Sequence, residues 1–453
     1  MQRMTRKIPH DQENFYDEQA AEKELKRLFD ICHGCRRCFN LCGLFPKLFE
    51  RLDSPEIDGD VEKLTSKDIQ DILPSCTLCD MCYIVKCPYV PPHPWNVDFP
   101  RAILRYRAIG AKKNRSYKGF IEKRLAHVDQ YLPLANAVSP VANAVMGCGS
   151  LRRVAEVATG IDRHADLPEF RSKALKKTWV SPDPNPSGYA YGQEVWFYLT
   201  CMTNYYETET AYAAANVLAH FGVRVHAVYP GCCGMPLLEQ GHLDDVVAQA
   251  KKVAPALFGL GTVIPLTPSC SLMLKSEWPA VCPEDPMVQD LANRTQDLMV
   301  YVWHLIRNSP TPVKMPIPPH VTVHMACHVR AQNQGNASYQ LLSKVSHHPV
   351  GLIERCSGHG GMWGYKKEHF QQALAVGKPV ISQSAGMGAK IVTSECPMAA
   401  KHLQQEARMM GYKDLWVVHP MILLAMALDP EFFKKQVAPQ PEQTFSLGEP
   451  AYG

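Results

Sequence analysis

The chain has 453 residues, of which 46% are hydrophobic and 20% are charged, and its formal net charge is +4. This composition is typical of a globular protein with two to four domains, and the small net charge without a basic run excludes a nucleic-acid-binding function. No stretch reaches the roughly 20 apolar residues that cross a bilayer, and the first residues lack the apolar core of a signal peptide. Seventeen cysteines in such a chain indicate a reducing compartment and metal binding. We therefore expect a cytoplasmic protein, either free or peripheral on the cytoplasmic face of the inner membrane.

Eight cysteines between residues 32 and 87 form two similar runs, spaced C-x2-C-x2-C-x3-C and C-x2-C-x2-C-x4-C-P. Three thiolates at this spacing let a loop wrap one face of an iron–sulfur cluster, and in two-cluster ferredoxins the fourth cysteine of each run binds the other cluster. We therefore predict two [4Fe–4S] clusters, one held by Cys32, Cys35, Cys38 and Cys87 and the other by Cys76, Cys79, Cys82 and Cys42. Zinc and disulfides are the alternatives, but zinc favours separated pairs of ligands over such runs.

The two runs lie in a predicted ferredoxin-type domain over residues 14–100. A helical connector and linker is predicted over residues 101–192, because basic and apolar helical segments there end in a stretch rich in proline, glycine and serine. The adjoining basic and apolar segments fit either a buried scaffold or a surface that contacts a membrane or a partner protein. Residues 431–453 are predicted to be a tail.

Between the linker and the tail, the chain repeats one pattern over residues 193–310 and 318–430. Three cysteines of the first repeat recur in the second at offsets of about 125 residues. The corresponding pairs are Cys201 and Cys327, Cys232 and Cys356, and Cys270 and Cys396. Strands alternate with helices in each repeat, which indicates a parallel sheet with helices on its faces. Each of these cysteines follows a predicted strand, where open α/β sheets bind their ligands.

Two ferredoxin-type runs followed by modules with a Cys232-Cys233-Gly234 motif resemble the heterodisulfide-reductase-related iron–sulfur proteins, also called the Cys-Cys-Gly domain family. Within that family, the layout is similar to the C subunits of anaerobic glycerol-3-phosphate dehydrogenases and the iron–sulfur subunits of glycolate oxidases. The resemblance implies an α+β ferredoxin-like two-cluster helical domain, followed by an α/β domain built from two tandem Cys-Cys-Gly repeats. It also implies that a complete repeat binds a further iron–sulfur cluster.

Both repeats lack cysteines of the complete module. Met273 replaces one in the first repeat, while Ser357 and Ala399 replace two in the second. The first repeat keeps Cys201, Cys232, Cys233 and Cys270, and four thiolates are enough for one more cluster. The second keeps Cys327, Cys356 and Cys396, so a fourth cluster would be a three-iron form or would need a foreign ligand, for which His328 and His359 are candidates. The alternative for either repeat is a set of buried structural cysteines.

This layout predicts an iron–sulfur electron-transfer subunit rather than a stand-alone enzyme, and no catalytic residue is assigned. The resemblance implies electron transfer between a flavoprotein dehydrogenase subunit and a quinone or other membrane acceptor. One alternative is a heterodisulfide-reductase-like catalytic subunit that acts on a disulfide or another sulfur substrate, and another is a docking scaffold without redox chemistry. The chain lacks dinucleotide and phosphate-loop motifs, so we expect it to bind no nucleotide itself. Cys148 and Cys282 lie outside every motif and are read as ordinary small apolar residues.

Overall fold

A computed structural model describes residues 6–113 and 117–430 of the chain. The fold is mixed: the first part of the chain is helical, and two parallel sheets with helices on their faces follow it. The predicted tail, residues 431–453, lies outside the described residues. No helix of the described residues is long and apolar enough to cross a bilayer.

The cysteine runs belong to a small helical unit with its own core. Its helices are α1 (Glu18–Cys35), α2 (Leu44–Leu52) and α3 (Ser66–Ile72). Apolar residues of α1 recur three or four residues apart and pack against those of α2. Helix α1 continues through Cys35 and stops where Arg36 adopts a left-handed backbone, with φ 50°. Cys32 and Cys35 therefore lie on the last turn of a helix rather than in a loop.

The predicted connector consists largely of helices, as expected. They are α4 (Phe99–Lys113), α5 (Tyr117–Ala126), α6 (Val128–Ala137), α7 (Ser139–Gly147), α8 (Gly149–Thr159) and α9 (Leu175–Thr178). Helix α4 packs against α1 and buries Ile103 and Leu104. Its Arg101 also reaches the first repeat, where the guanidinium lies 2.6 Å from the Glu277 carboxylate.

The first repeat contains a three-stranded parallel sheet in the order β2–β1–β3. Its first strand and helices are β1 (Glu194–Tyr198), α10 (Cys201–Tyr205) and α11 (Thr208–His220). They are followed by β2 (Arg224–Val228), α12 (Met235–Glu239), α13 (Leu243–Leu257), β3 (Thr262–Pro265) and α14 (Pro268–Leu272). Three helices complete the repeat: α15 (Trp278–Val281), α16 (Pro286–Arg294) and α17 (Leu298–Arg307). The central strand pairs Val195 with Val225 on one side and Thr262 on the other.

The second repeat has the same strand order with one strand added, β5–β4–β6–β7, again all parallel. Its elements are β4 (Val321–His324), α18 (Cys327–Ala331), α19 (Ala337–Val345), β5 (Val350–Ile353), α20 (Phe370–Gly386), β6 (Ile391–Ser394), α21 (Pro397–Met409), β7 (Trp416–Val418) and α22 (Pro420–Leu428). The strands fall where the sequence pattern predicts them.

Helices of each repeat pack against helices of the other. Helix α22, at the end of the second repeat, packs against α11 of the first, and α17 of the first packs against α19 of the second. Met421, Leu423 and Leu424 of α22 are buried in the same apolar core as β1 and α11. Each repeat therefore completes the core of the other.

Candidate metal centres

The first group of thiols lines one cavity. Cys32, Cys35 and Cys38 line it together with Cys87, the last cysteine of the second run. Burial raises the pKa of the Cys32 thiol, and the neighbouring Cys38 and Cys87 thiols raise it further. Burial also raises the pKa of Cys38, to about 11, although the charges of nearby cations oppose it. The structure thus brings together the four cysteines predicted to share a cluster, including the one from the other run.

The second group of thiols comprises Cys42, Cys76, Cys79 and Cys82. Burial raises the pKa of Cys82 well above its usual value, and the other three thiols add to that effect. Burial and the nearby Cys76 thiol raise the pKa of Cys42 to about 12. The loop reaches this geometry through a left-handed backbone at Leu78, with φ 50°, which is uncommon for a leucine. The predicted second ligand set is therefore also assembled in one place.

The third group of thiols lies at the carboxyl end of the first sheet. Cys201 begins α10 after β1, Cys232 and Cys233 follow β2, and Cys270 lies in α14 after β3. The sulfur atoms of Cys233 and Cys270 are 3.2 Å apart. A hydrogen bond with Cys232 is the first cause that raises the pKa of Cys201, and burial adds to it. Met273, which stands where the family has another cysteine, is fully buried in the apolar core.

The fourth group of thiols occupies the corresponding edge of the second sheet. Cys327 begins α18, Cys356 follows β5, and Cys396 immediately precedes α21. Burial raises the pKa of Cys327, and the Cys356 and Cys396 thiols raise it further. His359 is buried here, and its Nδ1 has no hydrogen-bond partner among the described residues. His328 adjoins Cys327 on α18. Three thiols are therefore gathered close to the two candidate imidazoles.

A backbone feature that sequence reasoning missed is shared by three of the groups. In each, the amide two residues after a cysteine donates a hydrogen bond to its sulfur, at 3.3–3.4 Å. The pairs are Leu78 and Cys76, Gly234 and Cys232, and Gly358 and Cys356. Hydrogen bonds of this kind favour the thiolate, the form that binds metal. The glycine of the Cys-Cys-Gly motif offered a signal for it, since Gly234 and Gly358 both have left-handed backbones.

The four groups follow one another in space in an order that the sequence does not suggest. The first two share the loop that carries Cys38 and Cys42. The turn after Cys356 meets the loop of the second group, since a Cβ on Gly360 would lie 2.5 Å from Cγ2 of Thr77. Helix α14, which carries Cys270, packs against α18, which begins with Cys327. The fourth group therefore adjoins both the second group and the third.

A second cavity opens beside residues of three of these groups. It is lined by Leu78 beside the second group, by Met235 and Glu239 after the Cys-Cys-Gly turn, and by His328 of the fourth. Burial raises the pKa of Glu239 to about 8, and the charge of Arg107 opposes this. The lining also includes Asp80 and the paired Arg101 and Glu277, so acidic side chains outnumber basic ones.

The donor atoms of the four groups suit iron–sulfur clusters. Each group offers three or four sulfur ligands that are buried or half-buried, and the first lines a cavity. Thiols with raised pKa values hold their protons in the free protein, and metal binding would release those protons. Arg37 and Lys86 on the wall of the first cavity would offset the charge of the resulting thiolates. Within residues 6–113 and 117–430, no three His, Cys, Asp or Glu side chains form a group that could hold a single metal ion.

One prediction concerns the turn that follows Cys356. Gly358 has φ +79°, and a Cβ there would lie 1.9 Å from the carbonyl oxygen of Ala373. We expect Gly358→Ala to lower the free energy of unfolding by about 3 kcal/mol or more, because a left-handed alanine and an overpacked contact both cost energy. Gly386→Ala is the control, since its Cβ would meet no atom within 4 Å. Equal denaturation midpoints for the two variants would contradict this prediction.

Comparison with known protein families and proteins agrees with this geometry. The model of the CCG family, described as a cysteine-rich domain, matches residues 195–275 and 321–403. Among the C subunits of anaerobic glycerol-3-phosphate dehydrogenases, that of Escherichia coli (strain K12) is 24% identical over 342 residues, covering 74% of this chain and 83% of that protein. In Methanothermobacter marburgensis, one subunit of the fumarate reductase (CoM/CoB) is 26% identical over 287 residues, 60% of this chain and 54% of that protein. Lactate utilization protein A 2 of Bacillus mycoides is 27% identical over 188 residues, 38% of this chain and 75% of that protein.

Proposed function

Because the chain belongs to the iron–sulfur proteins that carry two CCG cysteine-rich domains, we propose that it passes electrons from a flavoprotein dehydrogenase subunit to a quinone or other membrane acceptor. Two of its relatives are named as subunits of a dehydrogenase and of a reductase, which supports an electron-transfer subunit of an oxidoreductase. This proposal includes a flavoprotein partner, a membrane acceptor and a location on the cytoplasmic face of the inner membrane.

The observation that carries the proposal is the unbroken series of thiol groups. The N-terminal unit supplies the first two groups, the second meets the fourth where Thr77 approaches Gly360, and the fourth meets the third where α18 packs against α14. Iron–sulfur clusters supply one-electron redox chemistry when they are bound. A series of closely neighbouring sites suits a carrier of electrons over distance, whereas a docking scaffold has no need of it.

We propose that the four thiol groups are the ligand sets. The first two would each hold a [4Fe–4S] cluster in a ferredoxin-type domain over residues 14–100. The third would hold one further cluster, and the fourth, with three thiols and the unpartnered His359, would hold another. Backbone amides that donate to sulfur, such as that of Gly234, would stabilise the thiolates and tune the site. We also propose boundaries at residues 101–192, 193–310 and 318–430 for the connector and the two repeats.

The test is metal analysis of the full chain, reconstituted without oxygen, with electron paramagnetic resonance spectra after dithionite reduction. We expect iron–sulfur signals in the wild type, and we expect Cys270→Ser to lose iron together with one of them. Cys282→Ser is the matched control, because Cys282 is also buried but lies outside the four groups. An unchanged iron content in Cys270→Ser would mean that the third group is a set of structural cysteines. A wild type without reducible signals would refute the proposal as a whole.

A second candidate function rests on the cavity beside the second, third and fourth groups. Met235, two residues after Cys233, lines it, so a small sulfur substrate there would lie near the Cys-Cys-Gly turn, as a heterodisulfide-reductase-like catalytic subunit requires. Reduction of a disulfide by a reduced viologen, abolished by Cys233→Ala, would support this function over simple electron transfer.

A further inference from the structure

Helix α8 buries two of its three charged side chains, Arg152 and Glu156, and exposes its large apolar ones. Arg152 and Glu156 are only 8% and 7% exposed, whereas Val154 and Val157 are 67% and 85% exposed. The Arg152 guanidinium points inward and donates a 2.7 Å hydrogen bond to the carbonyl oxygen of Asp162. The helix is therefore amphipathic in the sense opposite to that of an ordinary surface helix.

Helices α6 and α7 share this inverted arrangement. Asn136 and Ser139 are buried, and the Asn143 side chain hydrogen-bonds inward to the backbone of Phe170 at 2.9 Å through both its oxygen and its nitrogen. Large aliphatic residues point outward instead, and those of α6–α8 are Leu134, Val138, Val141, Val145, Leu151, Val154 and Val157. An exposed apolar surface on three successive helices marks an interaction site. We call these seven residues the aliphatic face.

The exposed charged side chains that the structure describes on α5–α8 are cations. Residues 130–151 contain no charged side chain at all. The exposed cations are Lys123, Arg124 and Arg153, of which Lys123 pairs with Asp245 of the first repeat at 2.8 Å. The Arg124 guanidinium also lies over the exposed ring of Phe120, 5.1 Å from its centroid. An apolar face with basic residues around it is complementary to an anionic lipid surface.

The inner side of the same helices touches the third group of thiols. Asp129 in the first turn of α6 accepts a 2.9 Å hydrogen bond from the backbone amide of Cys232. Helix α6 also packs against α10, which begins with Cys201. Leu134 and Val138 lie farther along the chain from Asp129, so the first part of the aliphatic face is within about 15 Å of that residue along the helix.

We propose that α6–α8 bind the protein to an anionic phospholipid bilayer through the aliphatic face, which holds the first-repeat thiol group next to the membrane. A protein partner is the competing occupant, but hot spots of protein interfaces are rich in tryptophan, tyrosine and arginine. The aliphatic face consists of leucine and valine alone. The inference deepens the proposed function by assigning the membrane side of the chain, and lipid binding itself depends on no redox property.

The test is flotation of the reconstituted full chain with vesicles, either of phosphatidylcholine alone or of phosphatidylcholine mixed with phosphatidylglycerol. We expect binding to the mixed vesicles that weakens as salt is added, and weaker binding to the neutral ones. Val138→Asp/Val141→Asp/Val154→Asp should weaken binding by at least about tenfold. Arg124→Gln/Arg153→Gln should weaken it by about fivefold for each cation removed. Val180→Asp is the control, because Val180 is equally exposed at 74% but lies outside the aliphatic face.

Two results would overturn the inference: a wild type that does not float with the mixed vesicles, or a triple variant that floats as well as the wild type. Loss of a co-purifying protein subunit with unchanged vesicle binding would assign the aliphatic face to that protein instead. Iron content is measured in every variant, so a failure of the proposed function is seen separately from a failure of lipid binding. Val157→Asp, at the most exposed position, provides a milder variant if the triple one does not fold.

Discussion

Removing Cys35 and Cys87 together should cost the protein about four iron atoms per chain, and removing Cys82 and Cys87 together about eight. The reason is that Cys87 lines the same cavity as Cys32, Cys35 and Cys38, although it belongs to the second run in sequence. The first pair of alanine substitutions removes two ligands from one set, whereas the second pair removes one ligand from each of two sets. Iron analysis and the number of electron paramagnetic resonance signals would distinguish the two results.

The control for this prediction is Cys148→Ala, which changes a cysteine outside the four groups and should leave the iron content unaltered. If each run instead supplied all four ligands of its own cluster, the outcome would reverse. The Cys82 and Cys87 pair would then remove one signal, and the Cys35 and Cys87 pair would remove two. The double variants therefore test the exchange of the fourth cysteine directly.

Replacing Arg101 with methionine should lower the free energy of unfolding by about 3–5 kcal/mol. Arg101 extends from α4 to the first repeat and pairs with Glu277 at 2.6 Å, and the Glu277 side chain is only 5% exposed. Methionine keeps much of the volume of arginine but leaves a buried carboxylate without its cation. Chemical denaturation, followed by far-ultraviolet circular dichroism, measures the loss.

Arg27→Met provides the matched control, because Arg27 pairs with Glu24 on the surface and such pairs contribute about 0–1 kcal/mol. Arg101→Met/Glu277→Gln should recover part of the loss, since glutamine places no charge in the interior. A cost for Arg101→Met as small as that for Arg27→Met would mean that Glu277 finds water or another partner. The contact between α4 and the first repeat would then owe little to this pair.

The grouping of the cysteines could be predicted because it depends on local spacing. The strands could be predicted because short apolar runs followed by helices give parallel sheets, and each repeat cysteine then falls at a strand's carboxyl end. The end of α1 could not be predicted, because the residue whose left-handed backbone ends the helix is Arg36 rather than the usual glycine or asparagine. The structure describes the helices and the two thiol groups of the N-terminal unit, and the clusters stay a prediction.

Two further features depend on tertiary packing and leave no trace in local spacing. The order of the thiol groups follows from how the second repeat packs against the N-terminal unit, which no motif encodes. The spacing of Leu151, Val154 and Val157 is that of an amphipathic helix, but it does not say which side faces the core. In α8 the core side carries Arg152 and Glu156 because nearby backbone groups bond to them.

The packing of helices across the two repeats has a consequence for synthesis of the chain. Because α22 packs on α11, the core beneath the third group of thiols stays incomplete until nearly the last described residues have been made. At ordinary rates of translation, the third group's cysteines then wait on the order of ten seconds in an unfinished fold. For the cluster proposed at this site, that interval would leave an open route by which iron and sulfide reach side chains that are buried in the finished protein. Its assembly would then be coupled to the arrival of a distant helix that contributes no ligand of its own.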